Sequence, residues 1–294
     1  MGFLFSKPSY DPDRDIPNLD GKIVVVTGSS SGIGYRTAEQ LAIHGEDKLI
    51  WVPLELSSVR SAKKAAELIL AKEKRLDILV NNAGHLPSDY EPTEDGIDKT
   101  VAVNHVGHFV FTTTLLPLLK STTLETGADV RIVNVASISY KAAGRVKFDS
   151  LDDFNDKRTG TWFVKFRRYG RSKLMNMLFS TELQRRLDDE GAAIIVTSVH
   201  PGAVHTEGAD NNNPIFIKVI LPFFCVSSLK GAYTSLFAAT SAEVAALPDK
   251  YKGKYMEGCR VVKPSTKEAE DELLARKLWE TTKKVVADVL ASSQ

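Results

Sequence analysis

The sequence predicts an α/β protein built on a parallel sheet with helices on both faces. Three observations predict it. Short continuous apolar runs alternate with segments of helical periodicity, the pattern of strands buried on both faces and the helices that cover them. A glycine-rich turn, Gly28-Ser29-Ser30-Ser31-Gly32-Ile33-Gly34, joins the first run to the first helix. Every other polar motif falls at the C-terminal end of a strand or the start of the next helix, where open α/β sheets bind ligands.

Taken in order, residues 1–20 read as an irregular lead-in rich in Pro, Asp and Ser. Residues 23–27 (Ile-Val-Val-Val-Thr) form the first predicted strand, and a helix continues through Ala38, Leu41 and Ala42. Residues 49–56 (Leu-Ile-Trp-Val-Pro-Leu-Glu-Leu) read as a second strand. Ser57 can cap a helix carrying Val59, Ala62, Ala66, Leu68 and Ile69. A strand is expected over 77–81, a long helix with Asn104 over 94–120, and a strand over 130–136 that delivers Ser137. A helix follows from Tyr169, with Leu174, Met177, Leu178, Leu183 and Leu187 at helical spacing. Expected last are a strand over 193–199, a helix over 230–239, a strand over 253–256 and a closing helix over 268–290. No repeat or low-complexity linker divides the chain, so residues 1–294 are expected to form a single domain.

The composition excludes several function classes. Hydrophobic residues make up 43% of the chain and charged residues 26%, and the formal charge is +1. No basic stripe suggests nucleic acid. Cys225 and Cys259 are too few for a disulfide framework. His105 and His108 are three apart on a helix, a spacing read as packed or solvated, and no metal site is expected. The N-terminus lacks a signal-peptide pattern. Gly2 and Ser6 match an acylation template, but Phe3 and Pro8 argue against it. No run reaches the roughly 18–20 apolar residues of a membrane span. The expected setting is cytoplasmic or otherwise intracellular and soluble. The apolar stretch from Asn213 to Val226 is compatible with contact at a membrane surface.

The chemistry centres on Tyr169 and Lys173. Their i,i+4 spacing stacks a phenol and an ammonium on one helix face. Alone, the two groups have pKa values near about 10 and about 10.4. Held close, the ammonium favours the phenolate, making the pair a proton donor and acceptor near neutral pH. The glycine turn is a second functional element. Gly28 permits a tight turn, Gly32 and Gly34 permit close backbone approach, and the helix start would face a pyrophosphate.

Together, Thr27-Gly-Ser-Ser-Ser-Gly-Ile-Gly34, Asn81-Asn-Ala-Gly84, Asn104, Ser137, Tyr169-x-x-x-Lys173 and Pro201-Gly202 resemble the short-chain dehydrogenase/reductase family, in its order. The Tyr169-Gly-Arg-Ser-Lys-Leu-Met-Asn run and Val199-His-Pro-Gly-Ala-Val-His-Thr206 look most like its retinol-dehydrogenase-like group. So does the long interval of 32 positions from Ser137 to Tyr169. The resemblance implies a Rossmann-like doubly wound sheet and an NADP(H) or NAD(H) cofactor. It also implies an alcohol/carbonyl oxidoreductase with a catalytic set of Asn104, Ser137, Tyr169 and Lys173. Tyr169 would exchange the proton, Ser137 would orient the substrate oxygen, with Ser139 as the alternative neighbour, and Asn104 would hold a relay water. Gly28, Ser30, Gly32, Ile33 and Gly34 would border the pyrophosphate and ribose. Asn82, Ala83 and Gly84 would flank the adenosine and nicotinamide ribose. Asn104, Tyr169 and Lys173 would reach the nicotinamide ribose. Pro201, Gly202, Val204 and Thr206 would contact the nicotinamide amide. The apolar segment 213–226 suggests an apolar small-molecule alcohol or carbonyl substrate. The basic insert 140–168, with Lys141, Arg145, Lys147, Arg158, Lys165, Arg167 and Arg168, reads as a solvated rim rather than an anion site. Oligomeric state is left open.

The chain departs from the family pattern after the first helix, where a strand–helix unit of the family is absent and the sheet is expected to have one strand fewer. The run 49–56 is expected to slide inward and pair with 23–27. Glu55 would then lie 21 residues past Gly34, near the spacing of about 20 for an acid on the adenosine ribose. That placement favours NAD(H), whereas the resemblance favours NADP(H). The same loss raises an alternative: a catalytically impaired relative serving as a binding or regulatory module.

Overall fold

The computed structural model describes residues 10–45, 49–202 and 226–292. Val204, Thr206, Cys225, the acylation template and nearly all of the apolar segment 213–226 lie outside them.

Among the described residues six strands form one sheet in chain order. They are β1 Val24–Val26, β2 Ile78–Asn81, β3 Val130–Val135, β4 Ile194–His200, β5 Tyr255–Glu257 and β6 Arg260–Val261. The first five are parallel and β6 is antiparallel. The sequence did not announce β6. It returns from β5 through Gly258 and Cys259, both at positive φ (56° and 61°), a turn whose twist matches a hairpin.

Among the described residues the long helices are α1 Gly32–Ile43, α2 Val59–Lys72, α3 Lys99–Thr122, α4 Trp162–Asp189, α5 Ser228–Thr240 and α6 Glu272–Ala291. Side-chain alternation along the strands separates two cores. Ile78, Val80, Val133, Val135 and Val199 face α1 and α5, packing on Leu41 and Leu236. Leu79, Ile132, Ile194 and Val196 face α2, α3, α4 and α6. Helix α3 has the length and hydropathy of a membrane span, but 72% of its apolar window is buried inside the protein, as suits a core helix.

Two expectations are corrected, for residues 49–56 and for the insert, and the lead-in proves to be packed. Residues 49–56 form no strand and do not pair with β1, which is the margin of the sheet. Leu49, Ile50 and Trp51 are 72%, 57% and 82% exposed. The lead-in is docked: Tyr10, Ile16 and Leu19 are buried, and the Tyr10 hydroxyl lies 3.0 Å from Thr240 Oγ1. The insert is only partly a solvated rim. Lys141, Arg145, Lys147 and Arg158 are exposed, but Phe148, Phe154 and Arg168 are buried. Burying each phenylalanine contributes about 1.5–3 kcal/mol, which fixes the insert on the core.

Candidate active site

Because the first five strands are parallel, their C-terminal ends share one edge, and the predicted motifs assemble there. Gly28 follows β1, Asn82 to Gly84 follow β2, Ser137 follows β3, and Pro201 and Gly202 follow β4.

The glycine turn is tight for reasons the backbone states. Gly28 and Gly32 have φ of +67° and +58°. A Cβ on Gly34 would stand 2.2 Å from the Gly28 carbonyl oxygen and 2.3 Å from Asn82 Nδ2. Gly34→Ala is therefore expected to cost about 1–3 kcal/mol or more, as overpacking does, and to displace the turn. Urea unfolding alongside a cofactor titration checks it, and an unchanged midpoint with unchanged binding would contradict it. Ser31 precedes α1 without a side-chain cap, and the first turn of α1 carries no acid. Its free N–H groups can meet an anion.

Thr27 is a latch that sequence reasoning left without a role. Its Oγ1 accepts from Asn82 N and Ala83 N, both at 2.9 Å, and lies 2.9 Å from His108 Nε2. With its lone pairs so used, Thr27 donates to His108 Nε2, which leaves His108 Nδ1 to donate to the Asn104 carbonyl at 3.3 Å. Burial holds His108 down to about 4, in keeping with a neutral ring. His105 packs against Phe109, Phe154 and Phe179, with Nε2 2.9 Å from Thr282 Oγ1.

Asn104 sits in a π-helical stretch of α3, Ala102–Val106, a local widening often found at functional sites. Its Oδ1 accepts from His85 N at 2.6 Å, and its Nδ2 donates to Ser172 Oγ at 2.8 Å. Lys173 is buried and its Nζ donates to the Val135 carbonyl at 2.9 Å. Asn104 Oδ1 and Lys173 Nζ each lie 3.5 Å from the point a Cβ on Gly84 would occupy. Three predicted residues thus converge on one small space.

Tyr169 lies two turns into α4, because that helix begins at Trp162 rather than near the tyrosine. Lys173 Nζ is 5.6 Å from the centre of its ring. Burial pushes the Tyr169 phenol up to about 12, and contact with Ser137 draws it partly back. The net shift is upward, contrary to expectation, because burial dominates. Burial also lowers Lys173 to about 8. Ser137 begins a 3-10 turn, Ile138–Ala142, and its Oγ accepts from Ser139 N at 3.2 Å. Ser139 is buried beneath it. Gly170, another residue the sequence did not single out, lets α4 approach this turn: its Cβ would be 2.4 Å from the Ser139 carbonyl oxygen.

Glu55 is placed differently from expectation. Its carboxylate accepts from Ser57 N at 2.9 Å just ahead of α2, and this bond lowers its pKa. Ser30 and Ile33 lie in the glycine turn and the first turn of α1, and Gly202 takes φ +88° after β4.

The family described as short chain dehydrogenase matches residues 43–147. The chain is 40% identical over 323 aligned positions to the short chain dehydrogenase/reductase dpchH of Colletotrichum higginsianum, covering 96% of this chain and 80% of that one. It is 34% identical over 311 positions to retinol dehydrogenase 14 of Homo sapiens, covering 91% and 87%. An uncharacterised Mycobacterium paratuberculosis protein of known structure superposes with a TM-score of 0.70 at 26% identity, over 95% of this chain and 97% of that one. The chain thus belongs to the short-chain dehydrogenase/reductase family, in its retinol-dehydrogenase-like group.

Proposed function

We propose that this oxidoreductase interconverts an alcohol and a carbonyl on an apolar small molecule, with Tyr169 as general acid and base. The observation that carries this reading is the meeting of Asn104, Lys173 and Gly84 at the strand ends, with Tyr169 against Ser137. The residues fit the nicotinamide end of a dinucleotide: the uncapped start of α1 for phosphate, and Lys173 and Tyr169 for the nicotinamide ribose. A bound nicotinamide supplies hydride exchange, and the protein supplies orientation and proton management.

Ser137 Oγ orients the substrate oxygen toward the phenol. A phenol held near 12 is protonated at neutral pH, so it is set to donate to a carbonyl oxygen during reduction. Lys173, still charged below about 8, stabilises the phenolate left behind. Asn104, its Oδ1 facing the space beside Gly84, holds the water that returns the proton.

A pH dependence follows. The Lys173 ammonium is lost above about pH 8, so kcat/KM for carbonyl reduction should fall on that side. The stability effect has the opposite sign. Between about 8 and the ordinary lysine value the unfolded chain binds more protons than the native one, so the Lys173 contribution rises with pH. A profile of kcat/KM flat through this range in native protein would contradict the role of Lys173. Titration of reduced nicotinamide cofactor into the folded chain, followed by turnover on a panel of aromatic and terpenoid carbonyls, tests the whole reading. Absence of binding in folded protein would overturn it.

A further inference from the structure

We propose that the chain holds its cofactor through the nicotinamide-ribose and phosphate half alone, with the adenosine half adding little affinity and no discrimination between NADH and NADPH. The inference rests on the preceding reading of the site.

The two halves of the crevice differ. On the nicotinamide side the parts are present: Lys173, Asn104 and Gly84 converge, and α1 begins uncapped beside Gly28. On the other side the sheet ends at β1 among the described residues. The Ile23 carbonyl accepts from Asp77 N and Ile78 N, and Thr27 N donates to Val80 O. In a parallel ladder alternate residues face one neighbour, so Val24 and Val26 turn their N–H and C=O groups to the open side. No strand meets them among the described residues.

A dinucleotide fold holds the adenosine ribose by an acid about 20 residues past the glycine turn, on the strand beside the first. Here that distance falls on Glu55. Its segment is not a strand, the nearby Trp51 is 82% exposed, and its carboxylate is bound to Ser57 N. Nor does the start of α1 offer an unpaired cation to a 2′-phosphate, since Arg36 Nη1 donates to both carboxylate oxygens of Glu39, at 3.0 and 2.7 Å. The relatives are longer within the matched region: 323 and 311 positions are needed to match a chain of 294 residues, so both carry internal residues with no counterpart here.

Calorimetric titration of the full chain with NADPH, NADH and reduced nicotinamide mononucleotide tests this. All three should bind with dissociation constants inside about tenfold of one another, less than 1.4 kcal/mol. Adenosine 2′,5′-bisphosphate should fail to displace the bound mononucleotide. A dinucleotide preferred by tenfold or more, or displacement by the bisphosphate, overturns the inference and leaves the active-site reading standing. If none of the three binds chain that circular dichroism shows to be folded, the nicotinamide reading itself falls, and this inference with it.

Discussion

Replacing Tyr169 by Phe should lower carbonyl turnover by about 10²–10⁴-fold, the usual worth of a positioned acid or base, while the fold and cofactor binding persist. Phenylalanine keeps the ring that packs in α4 beside Lys173 and removes only the hydroxyl that meets Ser137. The loss should appear mainly in kcat, because the interaction matters where charge develops on the substrate oxygen. Ser137→Ala should weaken the same step less, since its proposed part is to orient the oxygen without giving the proton. The measurement is steady-state kinetics on whichever carbonyl the panel identifies, with cofactor saturating. Turnover unaltered in Tyr169→Phe would remove the tyrosine from the mechanism, whatever else the site does.

The largest expected effect on stability is at the residue just before it. Arg168 is 1% exposed and its Nε lies 3.3 Å from an oxygen of Asp98, which is fully buried. Its other nitrogens donate to the carbonyls of Ser88, Asp156 and Arg158, each at 2.7 Å. Asp98 in turn caps the start of α3 by accepting from Thr100 N and Val101 N. One guanidinium thus joins the helix of Tyr169 to the helix of Asn104 and pins the end of the insert. Arg168→Met strands a buried carboxylate and should cost about 3–5 kcal/mol, a large share of the roughly 5–15 kcal/mol of a typical domain.

The deficit should depend on pH with a definite sign. Burial already pushes Asp98 up to about 6, with Arg168 pulling it back. Without the arginine the carboxyl favours its protonated form further, so the native state of the variant gains relative stability as pH falls. Urea unfolding at pH 5 and pH 8 should show the smaller deficit at pH 5. A deficit below about 1 kcal/mol at both, the level of an exposed ion pair, would show that the pair is not buried in the way described.

These residues also mark where sequence reasoning succeeds and where it stops. Strands β2, β3 and β4 were legible because each is buried on both faces, which forces a continuous apolar run. The proposed catalytic set could be named from sequence because each member stands at a strand end or on a helix in a recognisable motif. Residues 49–56 have the same composition as a strand, but composition does not show whether their backbone bonds are made, and among the described residues no strand pairs with the outer side of β1. Arg168 looked like one more charge in a basic insert. Its burial depends on Asp98, 70 positions away, and on three carbonyls, none of which composition reveals. The role of Thr27 likewise appears only when β1, β2 and α3 meet, although a hydroxyl directly before the glycine turn was a signal available to follow.

The central claim is that this site moves a hydride to a carbonyl carbon while Tyr169 supplies the proton. It is tested most directly with reduced cofactor carrying deuterium at both hydrogens of the transferring carbon of the nicotinamide ring. Mass spectrometry of the alcohol product should find one deuterium on the former carbonyl carbon. Alcohol formed without the label, from the same cofactor and folded protein, would contradict the account.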